Sequence, residues 1–152
     1  MIEITVNDSA IIAALQALAQ RCNHLSPAMR DIGGVLTEST KQRFDTTTGP
    51  DGREWAPNSG FVSVEKQKEG AGSQPLTLQG ILGDTIDYQL LGDDGVMVGS
   101  NMDYAAMQQF GGTVQQFPHL WGDIPARPFL GVSPADETKI LHIIQRYLES
   151  AL

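Results

Sequence analysis

The sequence predicts an α+β domain: a small, mostly antiparallel sheet with N-terminal and C-terminal helices packed on it, and a long mobile internal loop. Three observations carry this reading. Residues Thr85–Leu91 alternate, with Ile86, Tyr88 and Leu90 on one face and Asp87 and Gln89 on the other. The turn Gly92-Asp93-Asp94-Gly95 and the run Val96-Met97-Val98 follow, so the stretch reads as a hairpin. Ser26-Pro27 and Ser133-Pro134 each precede an apolar stripe at helical spacing. A hydroxyl cap followed by proline starts a helix well, because the N–H that proline lacks would have no intrahelical partner there. Between the second helix and the hairpin, Thr46–Pro75 is rich in turn residues and offers little to a core. No internal repeat interrupts the pattern, and residues 1–152 read as a single domain with the loop at 46–75.

Taken in order, Ile2, Ile4 and Val6 alternate with polar residues and predict a short strand. Ile11, Ile12, Leu15, Leu18, Ala19 and Cys22 share one face of a helix over Ser9–Asn23, which makes Cys22 a buried small hydrophobe rather than a nucleophile. The second helix runs from Ser26-Pro27 to about Asp45 through Met29, Ile32, Leu36, Thr40 and Phe44 or Arg43. Gly33-Gly34 lies inside it. Each glycine costs about 1 kcal/mol relative to alanine, so the pair either weakens the helix or admits a closely packed neighbour; packing is the favoured reading. Within Thr46–Pro75, Gly49-Pro50-Asp51-Gly52 is a turn and Trp55 is the anchor. Asn101 or Asp103 is placed to cap a short helix, Tyr104–Phe110, which Gly111-Gly112 ends. Thr113–Phe117 and Phe129–Val132 read as candidate strands, with Pro118–Pro128 irregular. Ser133 and Asp136 have capping-box spacing at the start of a final helix whose stripe is Ile140, Leu141, Ile144, Tyr147, Leu148 and Leu152.

Composition narrows the function. The 152 residues are 41% apolar, enough for a core without cross-links, and a single cysteine excludes an intramolecular disulfide. Residues Met1–Asp8 carry neither a basic residue nor a long apolar run, and no stretch approaches the roughly 20 apolar residues of a membrane span. A soluble protein of a reducing cytoplasm, away from membranes, is expected. Net charge is -8, from 10 basic and 18 acidic residues. The basic residues are scattered; Lys66 and Lys68 form the closest grouping, and simple solvation is their plainer reading. Tight nucleic-acid binding is therefore not expected, whereas an acidic surface suits DNA that must slide past.

Motifs of catalysis are missing. His24, His119 and His142 share no metal-ligand spacing, and neither a nucleophile elbow nor a phosphate loop occurs. Asp93-Asp94 and Asp136-Glu137 are explained by a turn and a helix N-terminus. No catalytic residue, cofactor or metal is assigned. The candidates for contact are Trp55, Lys66, Lys68, Tyr104, Arg127 and Phe129. Arg127, held between Ala126 and Pro128, suits an interface and an internal structural role equally well; Phe129 and Leu130 suit the core.

Four segments also resemble a known family. They are Phe44 with Trp55-Ala56-Pro57; Leu76 to Ile86; Val98-Gly99-Ser100 with Tyr104-Ala105 and Gln109-Phe110-Gly111; and Ile124-Pro125-Ala126-Arg127-Pro128-Phe129-Leu130-Gly131. Their order and content resemble the phage virion morphogenesis, or tail-completion, proteins of Mu-like and related contractile-tailed phages. Gln79 departs from that pattern, where a threonine is usual, and Gln108 or Gln109 stands where a histidine is common. The resemblance implies a structural protein with no established active site, which completes the tail or joins head to tail. It also implies a homo-oligomeric ring, often a hexamer, contacting other tail or neck proteins in the host cytoplasm or in the virion. Two other classes stay open: a metal-dependent hydrolase or nuclease with a scattered carboxylate site, and a prophage-encoded inhibitor or binding module.

Overall fold

The computed structural model describes residues 9–68, 72–77 and 79–152, without the side chains of residues 61 and 64–66. The strand expected at Ile2–Val6 and the side chain of Lys66 lie outside the described residues. The elements in chain order are α1 (Ser9–Cys22), α2 (Ser26–Thr46), α3 (Gly60–Lys68), α4 (Ile81–Asp84), β1 (Asp87–Leu91), β2 (Gly95–Gly99), α5 (Ala105–Phe110) and α6 (Pro134–Glu149). Two helices start at Ser-Pro, but the expected hydroxyl cap forms at only one: Ser26 is the first residue of α2, whose N-cap position is Leu25 with no side-chain cap bond. In α6 the full capping box forms: the Ser133 hydroxyl accepts from the Asp136 N–H, and the Asp136 carboxylate accepts from the Ser133 N–H.

The hairpin pairs β1 with β2 antiparallel, from Asp87 opposite Gly99 to Leu91 opposite Gly95. Helix α2 lies across both strands, and α6 lies against α2 and α1. Gly33 is where α2 meets the hairpin. A Cβ there would stand 2.5 Å from Tyr88 Cδ2 and 2.9 Å from Val96 Cγ2, whereas one at Gly34 would meet open space. The first glycine thus serves close packing and the second does not.

The core gathers at the C-terminal end of α2. Phe44, Trp55, Leu82, Ile86, Ala105 and Phe129 are buried together, with Leu76, Val98, Met102 and Leu130 packed against them. Phe44 presents its ring edge-on to Trp55 at 5.3 Å and tilts against Phe129 at 5.5 Å, separations at which aromatic pairs attract beyond their burial alone.

Several expectations need correction. The stretch read as an irregular loop contains α3, and Thr48 bridges Glu54 across the Gly49–Gly52 turn. Thr113–Phe117 is a turn rather than a strand; only an isolated bridge joins Gly112 to Ile124. Phe129–Val132 forms no strand, because side chains satisfy its backbone. Neither Asn101 nor Asp103 caps α5; its N-cap position is Tyr104, with no side-chain cap bond. Cys22 is exposed, since α1 buries none of its residues in the subunit.

Candidate functional site

The extended segment Ile124–Gly131 is the organising feature of the core. Backbone partners reach it only at Ile124, bridged to Gly112, and at Arg127, whose N–H donates to the Gln108 carbonyl, so the peptide groups from Pro128 to Gly131 would be unpaired on burial unless side chains reached them. Three side chains do so. Arg43 Nη1 donates to the carbonyls of Phe129 (2.7 Å) and Gly131 (3.0 Å). Trp55 Nε1 donates to the Pro128 carbonyl at 2.8 Å. Gln109 Oε1 accepts from the N–H groups of both Phe129 and Leu130, each at 3.0 Å, and its Nε2 donates to the Leu130 carbonyl at 3.1 Å. Arg127 points the other way, from the segment to the chain after Trp55: its Nε and Nη2 donate to the carbonyls of Ala56 and Pro57, both at 2.7 Å. Gly131, at φ 149°, completes the fit against Pro50, whose Cγ would lie 2.6 Å from any Cβ added there.

Asp136 ties this arrangement to α6. Its Oδ2 lies 2.7 Å from Arg43 Nη2, and both side chains are almost wholly buried. Burial alone would raise the Asp136 carboxyl; hydrogen bonds from Ser39 and Ser133 and the charge of Arg43 more than offset it and hold the group below the usual carboxylate range. Burial lowers the pKa of the Arg43 guanidinium, against the opposing pull of Asp136. Burial likewise lowers that of Arg127.

Beside Arg127 opens a groove of about 730 Å3, lined by Val62, Leu76, Ile81, Met102 and Ile124 among others. Arg127 forms part of its wall, and Gln108 Oε1, also on the groove, is buried with no hydrogen-bond partner. Elsewhere several large apolar side chains are exposed. Trp121 is fully exposed and Phe110 is 78% exposed, while Ile11 and Leu15 of α1 and Leu141 of α6 are open to solvent.

The predicted contact residues fall into three places. Trp55 and Phe129 are core, and Arg127 is buried at 7% exposure, working between segments of the same subunit. Tyr104 stands exposed at the rim of the groove. Lys68 ends α3 with its side chain exposed. Sequence reasoning did not single out Arg43, Gln109 or Trp121 as functional. Asp136 was flagged only through its cap spacing. Among the described residues no group of three or more His, Cys, Asp or Glu is placed to hold a metal ion, and no helix is long and apolar enough to cross a membrane. The geometry holds the shape of the Ile124–Gly131 backbone and leaves apolar side chains exposed elsewhere.

The four sequence segments that supply this core are those that carry the family likeness, and the comparison with known families agrees. The molecule is a phage particle-assembly component: the chain belongs to the phage virion morphogenesis family, whose model matches residues 6–149. It is similar to Mu-like prophage FluMu G protein 2 of Haemophilus influenzae, at 34% identity over 98% of this chain and 97% of that one. It is also similar to a protein of Escherichia phage Mu described as "Putative capsid assembly protein G", at 35% identity over 81% of this chain and 79% of the relative. A third relative, Mu-like prophage FluMu G protein 1 of the same Haemophilus strain, is 29% identical over 78% of this chain and 76% of its own length. No solved structure matches.

Proposed function

We propose that the protein is a non-enzymatic ring or collar subunit that completes the tail or joins head to tail, binding copies of itself and neighbouring tail or neck proteins. The observation that carries this reading is the apolar surface left open on a folded subunit. A fully exposed tryptophan, together with Phe110, Ile11, Leu15 and Leu141, is apolar surface open to a partner. The description of the phage Mu relative as a capsid assembly protein supports a role in particle building. A ring closes only if each subunit carries two different surfaces that fit one another; a hexamer is the expected size. The edges of the hairpin and the 46–75 segment are the other candidate contacts, through backbone groups and the exposed end of α3 respectively. With net charge -8 per chain, the lumen of such a ring repels phosphate and lets DNA pass ungripped.

Sedimentation of the purified protein over a range of concentrations, with negative-stain electron microscopy of the heaviest species, tests the reading. Closed rings that Trp121→Ser or Phe110→Ser weakens, with unchanged melting, support it. A monomer at every concentration, alone and with purified tails, contradicts it.

A further inference from the structure

Two features of the subunit are complementary and lie at opposite ends of α2. The first is the groove. Arg127 in its wall is 7% exposed, and the acceptors it holds are neutral carbonyls. Among the described residues no carboxylate pairs with it; Asp123, also on the groove, is exposed and accepts instead from the Val114 N–H at 2.8 Å. A buried cation without a counter-charge, beside apolar walls, is complementary to an apolar side chain with a neighbouring carboxylate.

The second feature is the tip of the hairpin. Leu91 is 52% exposed there, and Asp93 and Asp94 are exposed in the turn that follows. Asp93 is engaged within the subunit, accepting from the Ser26 hydroxyl and facing His24. Asp94 makes no ion pair among the described residues, so a leucine and an uncommitted carboxylate stand together at an exposed tip. The Ser26 contact fixes this tip at the first turn of α2, while Phe44 fixes the core beside the groove at the last turn. At 1.5 Å per residue these ends are about 27 Å apart. A projection at one end and a matching recess at the other repeat head to tail, which is the geometry a ring needs.

We propose that the hairpin tip of one copy seats in the groove of the next, with Leu91 against Ile81 and Val62 and with Asp94 approaching Arg127. This names the subunit contact of the ring and rests on that reading. A groove of about 730 Å3 lies within the ordinary size range of binding pockets and holds a turn of this kind.

Arg127 itself holds the Ala56 and Pro57 carbonyls, so the groove is better blocked at Ile81, which is partly exposed. Ile81→Glu supplies the groove with its own carboxylate, and Asp94→Ala removes the charge of the tip without making it fit the blocked groove. Each variant alone is expected to self-associate roughly 30-fold or more weakly than the parent, the scale of losing one partner of a desolvated charge pair. Mixed in equal amounts, they retain one intact tip and one intact groove, and sedimentation should show a 1:1 dimer that does not grow. Val62→Glu and Leu91→Ser serve as second blocks if either first variant melts early. Two variants that assemble like the parent overturn the tip-to-groove contact and leave the ring standing. Two monomeric variants that fail to pair on mixing overturn it as well. A parent protein that is monomeric throughout overturns both the contact and the ring.

Discussion

Removing one partner of the Arg43–Asp136 pair should be among the most damaging single changes in the molecule. The two groups meet at 2.7 Å, with side-chain exposures of 6% and 1%. Asp136→Ala leaves the Arg43 charge buried beside only the Phe129 and Gly131 carbonyls and the Ser39 hydroxyl, and it opens the α6 capping box. Breaking a buried pair from one side costs about 3–5 kcal/mol, a large share of the roughly 5–15 kcal/mol that holds a domain folded. At about 2–4 °C per kcal/mol for a chain of this size, Tm should fall by about 6–20 °C. Arg43→Met should cost a similar amount. The double variant Arg43→Met/Asp136→Leu should cost much less than the sum, because neither charge is then stranded. The pH dependence follows from the same site. The folded-state pKa of Asp136 is depressed below its ordinary value of 3.8, so its contribution is present above about pH 5 and is lost as acidification passes 3.8 and then the lower folded pKa. Thermal and urea melts of the parent and the three variants, at neutral pH and in acid, measure all of this. Additive losses, or an acid midpoint that Asp136→Ala leaves in place, would refute the reasoning.

Gly33→Ala should destabilise by about 1–3 kcal/mol through overpacking against Tyr88 and Val96, more than the roughly 1 kcal/mol of helix propensity it gains. Gly34→Ala should instead stabilise by up to about 1 kcal/mol, and urea midpoints of the two compared side by side decide it. Gln109→Met should cost about 2 kcal/mol or more, since it strands the N–H groups of Phe129 and Leu130; thermal melts showing no loss would mean that the segment finds other partners. Duplex DNA should bind weakly even at low salt, and a submicromolar affinity with a steep salt dependence in a fluorescence titration would contradict the acidic-channel reading.

What could be read from the sequence was local. The proline at the start of α2, the capping box at Ser133 and Asp136 and the alternation through Thr85–Leu91 each express their physics within a few residues, and each appears in the fold, although Ser26 lies inside α2 and caps nothing. Helix α3 was missed because Gly60–Lys68 is short and carries little apolar periodicity. Cys22 was misplaced because an apolar stripe on α1 says that the face is to be covered without saying by what, and within the subunit it stays open. The stiffness of Ile124–Gly131 was visible in its prolines, but not the side chains that hold it. Arg43, Trp55 and Gln109 reach it from 86, 73 and 20 residues away. Contacts at that separation leave no pattern in a single sequence. For the same reason Arg127 could be read as an interface residue or an internal one until its carbonyl acceptors, 70 and 71 residues away, were located.

The most direct test of the assembly role is electron microscopy of phage particles made without this protein, with the protein then supplied from a second copy. The account predicts unjoined heads and tails, or tails of defective length or ending, and it predicts that the intact protein restores normal particles while Trp121→Ser does not. Normal, infectious particles in its absence would contradict the claim that this protein builds the virion.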